Sequence, residues 1–397
     1  MSDDTARRTL PQAPPDGLLA CVLLAFLATA GLFYVNIMAA LVAGLIDGLG
    51  FTNREAGFVG SANVYGAACG ALIAVWLVRR VPWRPAEVAA LCLLLVLDLA
   101  STLVTSAWPL IALRFTHGVV GGISVGIGLA VMARTAVPDR AFGMLLTVQY
   151  GVGGLGLMFL PGLAHRHGPA VLFLALAAFT LVTLCMLPFL APYPPRARPT
   201  PAAGDPASIR RRPLLQTLVA VFLFQAANMG LSAFMIPLGR HYGLEDAFVS
   251  QALGVSNWIG ALGSVAVIWS AGRFGRTLPV LVVMALAVAG TLAFLRSDLA
   301  PVYVGACIVT SIAWSFLIPC FFGMCADFDP AGQSATLAGF ASKMGLASGP
   351  AVAALLLGEN NYGLLVGVSL AGLLACGLAV LGPARLLDAG RASRRDS

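Results

Sequence analysis

Apolar residues run along this chain in long unbroken stretches, and the polar breaks between them are short. A helix crosses the hydrocarbon of a bilayer in about 20 residues at a rise of about 1.5 Å each. Cutting the runs at charged or Pro/Gly-rich breaks predicts twelve such helices, at 17–46, 55–78, 86–105, 109–133, 143–163, 169–189, 214–239, 249–271, 278–295, 301–325, 334–357 and 363–384. One connection is long. Segment 190–213 is rich in Pro, Ala and Arg, has no apolar periodicity, and reads as a linker between two sets of six helices. The expected organisation is a tail at 1–16, a six-helix half at 17–189, the linker at 190–213, a second half at 214–384 and a tail at 385–397. Ala28-Thr29-Ala30 could pass for a signal-peptidase site, but the apolar run continues to Ile46, too long for a signal core, so the first run is read as a membrane helix.

Composition supports the same solvent. The 397 residues are 59% hydrophobic and 10% charged, with a mean hydropathy of +0.90. A water-soluble domain carries about a quarter charged residues. Disorder, a disulfide-stapled secreted fold and a nucleic-acid-binding domain are excluded on this arithmetic, despite the net charge of +7. All eight cysteines fall within the predicted spans without a CxxC or a His/Cys cluster, so no metal site or disulfide framework is expected.

The basic excess then reads as topology. With the N-terminus inside, eighteen basic residues lie in segments on that side, including Arg79, Arg80, Arg84 and the linker arginines. Four lie opposite: Arg54, Arg166, Arg240 and Arg296. That bias places both termini in the cytoplasm and suits a bacterial inner membrane. Arg114 and Lys343, the single lysine, remain inside spans.

The chain repeats itself. At an offset of 194 residues Gly60-x-x-Asn63-x-x-Gly66-Ala67 aligns with Gly254-x-x-Asn257-x-x-Gly260-Ala261, and Arg79 and Pro85 align with Arg273 and Pro279. The same offset sets Gln149-Tyr150-Gly151 over Lys343-Met344-Gly345. Spans two and eight are thus equivalent, as are five and eleven, which makes two like-oriented halves.

Span four carries Leu110-Ile-Ala-Leu-Arg114-Phe-Thr-His117-Gly118-Val-Val120-Gly121-Gly122, and the loop after span two keeps Arg79, Arg80 and Arg84, with Gly272-Arg273-Phe274-Gly275-Arg276 as its second copy. These segments are similar to signatures of the major facilitator superfamily, with histidine in a glutamine position of the span-four motif and the aspartate of the loop motif missing. The fifth-span Gly-x-x-x-Gly-Pro pattern of that family's antiporters is absent from Gly151-Val-Gly153-Gly154-Leu-Gly156, while Gly345-Leu-Ala-Ser-Gly349-Pro350 lies in span eleven. Short Gly/Ala strings of this kind also serve plain helix packing. The resemblance covers 17–384 and implies an all-α membrane protein: twelve transmembrane helices in two parallel six-helix bundles, with a midplane solute site between them.

Ionisable groups inside a span cost several kcal/mol unless paired or functional. Lys343 lies about 13 Å into its helix, near the midplane, where it could anchor an anion or carry a proton. Arg114 and Asp98, on consecutive antiparallel spans, could meet as a buried ion pair, or serve as an anion clamp and a titrating carboxyl. His117 shares a face with Arg114 and is either a structural hydrogen-bonding group or a proton relay. The neutral set is Tyr34, Asn36, Asn63, Tyr65, Gln149, Tyr150, Gln225, Asn228, Asn257, Trp258, Trp314 and Ser315, on spans that the resemblance turns toward the cavity or the interface between halves. Asn63 and Asn257, in equivalent glycine-rich contexts, suit a structural role. Lys343, Arg114, His117, Gln149, Tyr150, Asn36, Gln225, Asn228, Trp258 and Asp98 are the expected substrate-binding or coupling residues.

No ATP-binding loop, metal cluster or catalytic constellation appears, so the expectation is neither an enzyme nor a cofactor protein. A secondary transporter of a small organic solute is expected, a monomer in the bilayer, with protons as coupling ion. Two positive charges against Asp98 favour an anion or zwitterion. Proton-antiport efflux of amphipathic compounds is the competing reading, and a non-transporting sensor or scaffold a third.

Overall fold

The structure, a computed structural model, describes residues 12–15, 17–78, 80–194, 210–270, 274–328, 334–358 and 360–395. Most of both the predicted N-terminal tail and the predicted linker, with Arg79 and Arg273 of the loop motifs, lies outside the described residues.

The first predicted span is three helices in series, α1 (Leu18–Ala30), α2 (Phe33–Asn36) and α3 (Met38–Leu49). Then follow α4 (Asn53–Leu77), α5 (Trp83–Ser101), α6 (Ala107–Met132), α7 (Pro138–His167) and α8 (Ala170–Met186). The second half repeats the plan with α9 (Arg211–Ala233), α10 (Met235–His241), α11 (Asp246–Ser270), α12 (Thr277–Ala293), α13 (Ala300–Phe328), α14 (Ser334–Leu357) and α15 (Tyr362–Arg395). Among the described residues nine helices are long and apolar enough to cross a membrane. The broken first span, α5 with its buried Glu87 and Asp98, and α11 complete twelve crossings. Such helices satisfy their own backbone hydrogen bonds, which hydrocarbon demands.

The two halves break their first helix alike. Ile37 has φ −111° and ψ 19°, and Phe234 has φ −111° and ψ 14°. These kinks leave the regular ladder near the middle of the membrane, where the halves face one another. α15 continues through Arg395, past the expected end at 384. Its Asp388 accepts backbone N–H groups of Arg276 (2.6 Å) and Thr277 (2.9 Å) at the start of α12, which ties the extension down.

Glycine sets the tightest contacts. A Cβ on Gly118 would stand 1.9 Å from the Asn63 carbonyl oxygen, and one on Gly66 would stand 2.1 Å from that of Phe115, so α4 and α6 touch backbone to backbone. The repeated partner behaves likewise, since a Cβ on Gly263 would lie 2.3 Å from the Ile312 carbonyl of α13. Gly345 and Gly349 of α14 similarly face the Phe222 and Ala226 carbonyls of α9, at 2.4 Å each. The Gly-x-x-x-Gly-Pro string of span eleven is therefore a helix seam.

The arginine loops find partners without the missing aspartate. Arg84 donates to the Leu190 carbonyl and Arg134 to that of Tyr193 (3.1 Å), pinning the start of the linker. In the second half Arg276 bonds Asp327 of α13 at 3.0 Å.

Candidate functional site: a neutral cavity between the halves

The halves close on the side away from the linker. There Asn53 donates to the Gly358 carbonyl (3.2 Å), Tyr65 and Ser348 hydroxyls meet at 2.8 Å, and Arg240 bridges Asp47 of the first half and Asp246 of its own. On the linker side the helices that pair across this seam turn apolar residues outward: Leu72 and Trp76 of α4, Phe142 of α7, Trp269 of α11 and Phe340 of α14 are exposed. The bonds just named join the halves on the side away from the linker.

A cavity of about 970 Å³ of empty space, its solvent-open part included, lies between the halves behind this seal. Asn36, Gln149, Tyr150, Asn228, Asn257 and Trp314 supply much of its polar and aromatic lining. The kink at Ile37 brings Val35, Asn36, Met38 and Ala39 to the wall, and the one at Phe234 brings Ser232 and Met235. Asn257 Nδ2 donates to the Tyr150 carbonyl (2.9 Å) and Asn228 Nδ2 to that of Phe224 (3.0 Å), which leaves both Oδ1 atoms as acceptors. Asn36 Nδ2 is a buried donor without a partner among the described residues. Among the described residues no charged side chain lines the cavity.

The charged residues expected at the pocket stand elsewhere. Arg114 is fully buried inside the first half, with Nη1 on Asp98 Oδ1 at 2.8 Å and Nη2 on the Leu97 carbonyl at 3.0 Å and on Ser101 Oγ. The Phe173 and Tyr34 rings flank it at 5.1 and 6.0 Å. His117 Nε2 meets the same Asp98 oxygen at 3.1 Å. Asn63 Nδ2 donates to the Arg114 carbonyl (3.2 Å) and faces His117 Nδ1 at 2.8 Å. The carbonyl fixes which end of the amide is nitrogen, so Nδ1 accepts and the ring proton sits on Nε2, toward Asp98. Asp98, Arg114 and His117 stand behind the wall because the glycine seam turns this face of α6 toward α4 and α5.

Three other expected residues move. Trp258 is exposed and donates to the Gly151 carbonyl at 3.1 Å; its neighbour Asn257, about 100° around the helix, lines the cavity while bonded to the other half. Gln225 is buried and bonds Trp314 Nε1 (2.8 Å) and Ser342 Oγ (2.7 Å). Lys343 is half-buried on α14, one turn toward the linker side from the cavity residue Leu346, and carries no hydrogen bond or ion pair among the described residues. Gln149, Tyr150, Asn36 and Asn228 do line the cavity.

Sequence reasoning passed over Glu87, which is buried with Oε1 2.6 Å from Ser124 Oγ and with Oε2 lacking a partner among the described residues. Trp314 was named only among the neutral set, as nothing in its segment ranked it above Trp258.

An all-helical membrane protein of two like-oriented halves around a central cavity has the architecture of a secondary transporter. A model described as Major Facilitator Superfamily matches residues 19–354, and the chain belongs to that family. No curated protein matches its sequence. Among solved structures it is similar to the nucleoside transporter NupG, with 11% identity, a TM-score of 0.72, and coverage of 92% of this chain and 98% of that one. It is similar to a D-xylose-proton symporter at 13% identity and TM-score 0.71, covering 93% and 96%. A bacterial homologue of the human lysosomal transporter Spinster, in an inward-facing and unoccupied conformation, shares 15% identity at TM-score 0.67, over 93% and 96%. These likenesses carry the fold.

Proposed function

We propose that the protein carries a small, uncharged, polar solute across the bacterial inner membrane by alternating access, driven by a proton gradient. The uncharged walls of the central cavity carry this reading: an anion there would lose its hydration without a cation to replace it. Amide groups that offer both donors and acceptors suit neutral polar edges. The nucleoside and xylose transporters of like fold are compatible with such a cargo.

In the mechanism, 17–189 rocks against 214–384. The seal at Asp47–Arg240 and Tyr65–Ser348 opens as the linker-side ends of α4 and α14, and of α7 and α11, come together. The arginine bias sets the linker side in the cytoplasm, so the cavity faces inward. Lys343 is the proposed proton carrier, because it stands one turn from the cavity residue Leu346 and has no counter-ion among the described residues. The Asp98–Arg114–His117 cluster fixes the packing of α4, α5 and α6.

Met38, Met229 and Met235 on the wall favour a second reading, efflux of varied amphipathic compounds, since thioether side chains adapt to differing shapes. Counterflow into proteoliposomes, with and without an imposed pH gradient, tests both. Uptake of uncharged solutes that rises with the gradient supports the proposal; uptake confined to organic anions, or none, overturns it.

A further inference from the structure

Trp314 Nε1 donates to Gln225 Oε1 at 2.8 Å, and Gln225 Nε2 donates to Ser342 Oγ at 2.7 Å. An indole nitrogen can only donate, so the amide oxygen must face it and the amide orientation is settled. Gln225 is buried and joins α9, α13 and α14. An indole turns about two side-chain bonds, and a bond to its single polar atom fixes the turn of its plane. The ring so held lines the cavity. Opposite it, from the other half, stands Tyr150, with ring centroids 6.4 Å apart and planes at 73°. Two aromatic walls thus meet nearly square, one from each half.

We infer that Gln225 is a positioning residue that sets Trp314 and Tyr150 as a corner for a flat ring, and that the solutes carried are uncharged compounds with such a ring and an amide-like edge. This rests on the central cavity being the solute site. The rest of the lining decides between neutral solutes. Val35, Met38, Leu157, Met235, Leu253 and Leu346 are apolar, while Asn36, Gln149, Asn228 and Asn257 bring amides and Ser232 and Ser311 two hydroxyls. A sugar carries hydroxyls around its whole rim and would press some of them against thioether and aliphatic walls. A planar heterocycle offers an apolar face to the aromatic corner and gathers its donors and acceptors on one edge. Amide side chains present the same donor and acceptor pair.

The test is thermal stabilisation of the purified protein in detergent, with uridine, adenosine, nicotinamide and benzamide beside D-xylose, maltose and glycerol, followed by transport kinetics for whichever binds. At least one compound of the first group should raise the melting temperature in a concentration-dependent way, and none of the second. For that compound Gln225→Leu should raise KM about 10-fold with the maximal rate unchanged. Trp314→Phe, which keeps a ring but loses the N–H, should do the same, and the double variant should be no worse than either alone. If Gln225→Leu does not fold, Trp314→Phe decides. Unchanged KM in Trp314→Phe, additive losses, or stabilisation by the second group alone would overturn the corner. Transport of D-xylose but no ring compound sinks this inference and leaves the neutral cavity standing; uptake of anions only sinks the cavity reading itself.

Discussion

One oxygen of Asp98 serves two partners: it takes Arg114 Nη1 at 2.8 Å and His117 Nε2 at 3.1 Å, all three residues being buried. Removing the acid leaves a guanidinium in the core of the first half without a counter-charge. Loss of one member of such a pair costs about 3–5 kcal/mol. Asp98→Ala should therefore lower the melting temperature steeply, whereas Asp98→Ala combined with Arg114→Leu should recover much of the loss. A double variant as unstable as the single one would refute the packing role.

The bridge from Arg240 to Asp47 is partly exposed and spans the halves. Exposed pairs contribute up to about 1 kcal/mol, or roughly a 5-fold change in population. In a cysteine-free background with Ala39→Cys on the cavity wall, Arg240→Gln should speed labelling by an impermeant maleimide from the distal side by up to about 5-fold. Added salt should reproduce part of that gain in the parent and none in the variant. Asp246→Asn, whose partner lies in the same half, should have the smaller effect.

Gly118 and Gly143 make opposite forecasts. Alanine at 118 would put its Cβ 1.9 Å from a backbone oxygen, while at 143 nothing lies within 4 Å. Overpacking costs about 1–3 kcal/mol, and Gly→Ala in an open helix position gains about 0.5–1 kcal/mol. Gly118→Ala should lower the melting temperature and Gly143→Ala should raise it slightly, by differential scanning fluorimetry.

Asn36→Ala and Asn228→Ala each remove a cavity hydrogen-bonding group, worth about 1 kcal/mol. Solute affinity should fall about 5-fold in each. Trp258→Phe, with its indole on the Gly151 carbonyl outside the cavity lining, should stay within about 2-fold. A larger loss in Trp258→Phe than in Asn36→Ala would reverse the assignment of the wall.

Lys343→Ala separates binding from coupling. Affinity for an uncharged solute should be unchanged within about 2-fold, because Lys343 is not among the residues that line the cavity. Uphill accumulation under a pH gradient should be lost while counterflow persists. Loss of counterflow as well would place Lys343 in the solute site.

Membership of the family, the all-helical class and the number of crossings followed from the chain alone, because hydrocarbon permits few solutions: apolar runs of membrane length become helices, and a copied half repeats them. The wall of the cavity did not follow. Asn63 and Asn257 hold equivalent places in the repeat, yet one holds His117 inside a half and the other faces the opposite half. Arg114 reads as a cation on a cavity helix until the glycine seam of α6 is seen to turn it inward. Which way a side chain faces depends on the rotation of its helix, and that rotation is set by close backbone contacts between segments far apart in sequence. The kink at Ile37 belongs to the same class, with no proline or charge near it in the sequence, whereas Pro237, three residues past Phe234, marks the second one because proline cannot donate to the Ala233 carbonyl. Spans were therefore fixed by local hydrophobicity, while the make-up of the cavity wall and the Gln225–Trp314 bond were decided by tertiary contacts.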